Sequence, residues 1–166
     1  MPDKKDSYDL SELRERNGDR PQTTTTNPHQ QLDQHPPPVI IEQLVNYITS
    51  LENLDNGPSH VSTPGTIAFF LKTCIHKKGP HEGFLMDNEF VHVHPMPDGS
   101  LHIALPETTG SQLVQGKWGE LHPVAGKYGF PKTIYMLYAP RNEEELAIAK
   151  QFVNISLQYA KSNCND

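Results

Sequence analysis

Between residues 89 and 105 the chain reads EFVHVHPMPDGSLHIAL, an alternation that a β-hairpin satisfies. Successive side chains of a strand point to opposite faces, so Phe90, His92 and His94 share one face while Val91 and Val93 take the other. Pro97-Asp98-Gly99 suits a three-residue loop: proline at the first turn position, then aspartate, then glycine in the left-handed bulge position. That loop sets His94 opposite His102, whereas a two-residue turn at Asp98-Gly99 would set it against Ile103 and mix the faces. The first register is therefore expected. It gathers Val91, Val93, Leu101, Ile103 and Leu105 on an aliphatic core face, and Phe90, His92, His94, His102 and Ala104 on a face that bears three imidazoles.

Clustered imidazoles admit three chemistries. They can be hydrogen-bonded members of a half-exposed sheet face. His92-x-His94 can offer two nitrogens to a metal, with His122 or Glu120 completing the set, although no metal is assigned here. They can also perform general acid–base work, because imidazole titrates near neutral pH. Downstream, residues 118–126 are rich in turn formers yet carry the only tryptophan, Trp118, and His122. Such a loop can wall a pocket, or Trp118 can plug the core edge. Arg141 either holds an anion or pairs with the glutamates at 143–145.

The remainder frames this hairpin. Residues 1–38 are polar, threonine-, glutamine- and proline-rich, and read as a disordered tail. Apolar residues from Val39 to Leu51 recur at helical spacing, with Asn56-Gly57-Pro58 as the stop. Strands are expected over 66–75, 83–86, 89–94, 101–105 and 133–138, with a short helix near 112–115. A final helix starts at the Asn142 cap and carries the stripe Leu146, Ala149, Val153, Leu157 and Ala160. This pattern predicts one α+β domain over 39–162: a mostly antiparallel sheet with packing helices at its N- and C-terminal ends.

A net charge of −6 without a basic stripe argues against nucleic acid as partner. No run approaches the roughly 20 apolar residues of a spanning helix, and the first residues lack a secretory core. A cytoplasmic protein without a membrane segment is the expectation. Cys74 and Cys164 match no CxxC pattern, and no disulfide is expected.

Four motifs in series carry a resemblance. His92-x-His94, Leu101-His102-Ile103-Ala104-Leu105, Trp118-Gly119-x-x-His122-Pro123-x-Ala125-Gly126, and the run from Leu137 through Tyr138-Ala139-Pro140-Arg141-Asn142 to the glutamates resemble the fungal luciferase family. The resemblance covers about residues 90–159. It implies an oxygenase with no added cofactor, O2 being the co-substrate, that acts on an electron-rich enol such as the pyrone 3-hydroxyhispidin. On this reading the partner is a small aromatic or polyketide-type molecule. His94 or His102 is the expected base, His92 its orienting neighbour, and His122 with Arg141 the stabilisers of negative charge. Phe90, Trp118 and Tyr138 are the expected substrate contacts. A non-catalytic small-molecule binder of the same fold, or a histidine-based metal-dependent enzyme, are the alternatives.

Overall fold

The computed structural model describes residue 10 and residues 12–164. The helix α1 (Pro38–Thr49) begins where three prolines end, a position at which a missing N–H is harmless. It buries Ile40, Ile41, Leu44 and Ile48, the expected stripe. Its stop comes earlier than expected, and Asn56-Gly57-Pro58 instead belongs to the edge strand β1 (Leu54–Pro58). Glycine and proline are tolerated there because the outer side of an edge strand has no ladder to complete.

The strands β2 (Ile67–Leu71), β3 (Glu89–Val93), β4 (Leu101–Ala104), β5 (Gly119–Leu121) and β6 (Ile134–Leu137) complete the sheet. Its six strands lie in the order β1-β2-β3-β4-β6-β5, every pair antiparallel. Between β4 and β5 runs α2 (Glu107–Gln115), longer than the helix expected there. The last element, α3 (Glu143–Ser162), is capped as expected, Asn142 accepting from the Glu145 N–H at 2.9 Å. The molecule is α+β, with helices at both ends of the sheet.

One face of the sheet is the main core. Val91, Val93, Leu101, Ile103 and Leu105 pack in one buried cluster with the stripes of α1 and α3, Phe152 among them. The hairpin register differs from the expected one by two residues: His92, not His94, pairs with His102, and the loop spans 95–99. A shift of two leaves every side chain on its face, so the segregation survives. The exception is Phe90. Phe69 pairs with Val91 but Phe70 with Glu89, so Phe90 is the extra residue of a bulge. It turns into the main core and joins that cluster fully buried, while Glu89 takes its place beside the histidines.

Two expectations are corrected by long-range contacts. Residues 12–37 are not a loose tail: they lie as a strap along the sheet, with a two-stranded turn closed at Thr23 and Gln31. Hydrogen bonds hold it, from Arg16 N to Gly116 O (2.9 Å), from Trp118 Nε1 to Arg14 O (2.9 Å) and from Arg20 Nη1 to Gly119 O (2.8 Å). Composition arguments weigh apolar burial, and this strap adds to the packing of Leu13 against the core a set of polar contacts that composition does not show. The expectation for residues 1–9 and 11 lies outside the described residues. Cys74 and Cys164 form a disulfide with Cα atoms 5.7 Å apart, because α3 returns its far end to the short 3-10 helix Lys72–Cys74 that follows β2. Among the described residues, no helix is long and apolar enough to cross a membrane.

Candidate active site

The second face of the sheet carries a level row of partners: Ala68 beside His92, His92 beside His102, His102 beside Met136, and Met136 beside Glu120. Adjacent strands lie about 4.8 Å apart, so His102 and Glu120 are separated by roughly 10 Å with Met136 between them. His29 of the strap fills that span. Its Nδ1 lies 3.1 Å from His102 Nε2 and its Nε2 lies 2.9 Å from Glu120 Oε2. On the other side His92 Nε2 lies 2.9 Å from His102 Nδ1, and His92 Nδ1 lies 2.7 Å from Glu89 Oε2. Five groups from β3, β4, β5 and the strap thus form one continuous hydrogen-bonded chain.

Two further imidazoles flank this row, and their tautomers follow from their neighbours. Ser100 Oγ donates to Asp98 Oδ1, so its lone pair accepts from His94 Nδ1 at 2.9 Å. His94 is therefore the Nδ1–H tautomer, with an unprotonated Nε2. His122 shows the opposite state. Its Nδ1 accepts from the Val124 N–H at 3.1 Å, which leaves Nε2 as the protonated nitrogen. One flanking imidazole offers a lone pair and the other an N–H.

Both line a cavity of about 690 Å³, together with His29, His92 and His102. Leu85, Phe130, Ile134 and Val61 supply apolar wall, and the strap tip from Thr25 to Pro28 closes one side. Burial, reinforced by the neighbouring imidazoles, lowers His94 to about 3 and His122 to about 4. His102 is pushed well below its ordinary value, again mainly by burial. All three are neutral at physiological pH. Burial alone would raise Glu120, but hydrogen bonds from His29, Tyr138 and Thr23 hold it below the ordinary carboxyl value.

The expected site residues divide. His92, His94, His102 and His122 converge on the cavity. Phe90 does not, being turned into the core by the bulge. Trp118 is buried in the same core, with the Arg14 guanidinium 5.3 Å from its ring centre. Tyr138 acts behind the wall: its hydroxyl donates to Glu120 Oε1 at 2.8 Å and accepts from Arg20. Arg141 is committed to Glu145, with Nε 2.9 Å from Oε1 and Nη2 2.6 Å from Oε2, and it ties down the strap through Asn17 O at 2.8 Å. The site residues that went unrecognised are His29 and Glu89. The bulge that exposes Glu89 to His92 has no local signature, and His29 sits in a stretch whose composition reads as tail.

The nitrogens of His92, His94 and His102, and separately those of His29, His102 and His122, lie within 4.8 Å of one another, a spacing at which metal ions are held. Here, however, three of the five imidazoles already engage each other. Cys74 and Cys164 also lie near His76, but their sulfurs are bonded to each other.

Residues 87–156, which span β3 to most of α3, match the family described as the Luciferase domain. Over 164 residues the chain is 32% identical to a luciferase of Armillaria gallica, covering 90% of this chain and 62% of that protein. The chain carries a luciferase-family domain. Luciferases of Armillaria mellea and Neonothopanus nambi are 41% and 40% identical over 73 residues, 43% of this chain and 27% of each relative. The chain therefore spans less than two thirds of the length of these relatives. No solved structure matches it. The luciferase domain so delimited contains Glu89, His92, His94, His102, Glu120 and His122; His29 reaches the site from outside it.

Proposed function

We propose that this luciferase-family protein adds O2 to a small electron-rich enol of the 3-hydroxyhispidin type, without an organic cofactor or metal. The observation that carries the reading is the pair of opposite tautomers on one cavity: a lone pair on His94 Nε2 and an N–H on His122 Nε2. A flat enol seated between them loses its O–H proton to His94, and the resulting anion is met by the His122 donor. The low proton affinity of His94 keeps the base free at every physiological pH. The negative charge of the enolate raises that affinity as the proton moves. His102 is a poorer base, since both its nitrogens are occupied by His92 and His29. Apolar walls at Leu85, Phe130 and Ile134 suit an aromatic ring and limit water around an excited product.

The test is O2 uptake and light on mixing purified protein with 3-hydroxyhispidin under air. His94→Ala is expected to lower uptake about 100-fold or more while leaving the fold intact, the usual weight of a positioned base. A folded His94→Ala protein that consumes O2 at the native rate would exclude this site. Uptake without light would retain the chemistry and remove luminescence. Binding of the compound with no uptake would reduce the protein to a small-molecule binder.

A further inference from the structure

The chain Glu89–His92–His102–His29–Glu120 makes four contacts in series, of 2.7, 2.9, 3.1 and 2.9 Å. Each is a hydrogen-bond distance and needs one proton between its two heavy atoms. A neutral imidazole supplies one N–H, so three imidazoles supply three, and two carboxylates supply none. One contact would then set two lone pairs against each other in a buried site, beside two carboxylate charges.

We infer that this row holds one proton more than its three neutral imidazoles provide, shared along its length, so that the cavity wall carries one imidazolium charge against its two carboxylates. Both carboxylates are already supplied with donors and stay anionic. Glu89 accepts from Ser59 Oγ at 2.8 Å and from the His60 N–H at 2.9 Å, and Glu120 accepts from Tyr138 and Thr23. The extra proton therefore belongs to the imidazoles. His102, in the middle, touches neither carboxylate, so the charge rests on His92 or His29 at the ends. Passing it from one end to the other only moves each proton across its own contact, and the proton is a property of the row rather than of one residue. The groups facing the row are His94 and His122, both neutral, the Tyr138 hydroxyl, and Arg20 behind Tyr138.

The role of the shared proton rests on the oxygenase reading: it offsets one of the two carboxylate charges beside the cavity in which the enolate forms. One proton leaves the enol oxygen for His94. The electron pair of the enolate then forms a C–O bond and reduces O2 to the peroxide level, and the terminal oxygen anion takes back the proton held on His94 Nε2, because every ring nitrogen of the row is engaged within it. No proton is gained or lost overall.

The resting state can be tested without substrate, so its failure is separable from failure of the oxygenase reading. In the full-length chain with ¹⁵N-labelled histidine at pH 7, NMR is expected to show four exchange-protected imidazole N–H protons within the row. Glu120→Gln is expected to show three: the glutamine amide donates to His29 Nε2, and all contacts are then satisfied by neutral rings pointing toward Glu89. Glu89→Gln does the same in the opposite sense and serves if the first variant fails to fold. Three protons in the native protein, or an unchanged four in a folded variant, would overturn the proposal. So would a stoichiometric divalent metal found in the purified protein in place of the row's protons.

Discussion

His94 and His122 are neutral because they are buried, and this makes the stability of the domain pH-dependent. Folded, they titrate at about 3 and about 4; unfolded, at about 6.5. Below pH ~6.5 the unfolded chain binds protons that the folded chain refuses, so their contribution is complete above that pH and is lost as pH falls toward 3. Urea midpoints measured from pH 8 to pH 4 are expected to fall steadily below ~6.5, and His94→Gln is expected to flatten the slope. At this scale the hairpin histidines were legible from alternation alone. His122 was legible from its turn-rich setting. Glu89 was not, because the bulge at Phe90 that inverts its direction arises from pairing with Phe69 and Phe70. Arg141 reads as an anion ligand or as an ion-pair member from its sequence neighbours, and the buried carboxylate of Glu145 decides for the pair.

Among elements, β5 matters more than its three residues suggest, since it carries Glu120 to the end of the row. It lies against β6 only because Gly119 has no side chain: a Cβ there would meet Met136 O at 2.0 Å. Gly119→Ala is expected to separate β5 from β6, break the Glu120–His29 contact and cost several-fold in any activity of the site, with hydrogen exchange at His122 and Tyr138, whose N–H groups bond across this edge, as the readout. The strap is the second such element. Arg141→Leu leaves Glu145 buried without its partner and frees Asn17, and breaking a pair of this kind costs about 3–5 kcal/mol. Urea unfolding measures the loss, and faster proteolysis within residues 12–37 is its local sign. An unchanged midpoint and digestion pattern would show that Arg141 does not hold the strap.

The whole molecule is two-sided: helices seal the aliphatic face of the sheet, and the strap with two loops roofs the histidine face. The Cys74–Cys164 disulfide closes 90 residues of chain and joins the end of α3 to the region after β2. Loops of this size are stabilised by about 2–4 kcal/mol, so Cys164→Ser is expected to lower the thermal midpoint by several degrees, an effect that reductant should reproduce on the native protein. Periodicity and turn chemistry by themselves determined the α+β class, the stripes of α1 and α3, and the segregation of the hairpin faces. These are local properties, set by side-chain alternation and helical repeat within a few residues. The strap, the bulge, the edge strands and the disulfide were decided only by tertiary structure, because each depends on partners distant in the chain, up to 124 residues away for the strap. His29 shows the difference most clearly. Nothing near it in the chain asks for burial, yet the roughly 10 Å gap between His102 and Glu120 can be bridged by an imidazole only from outside the sheet.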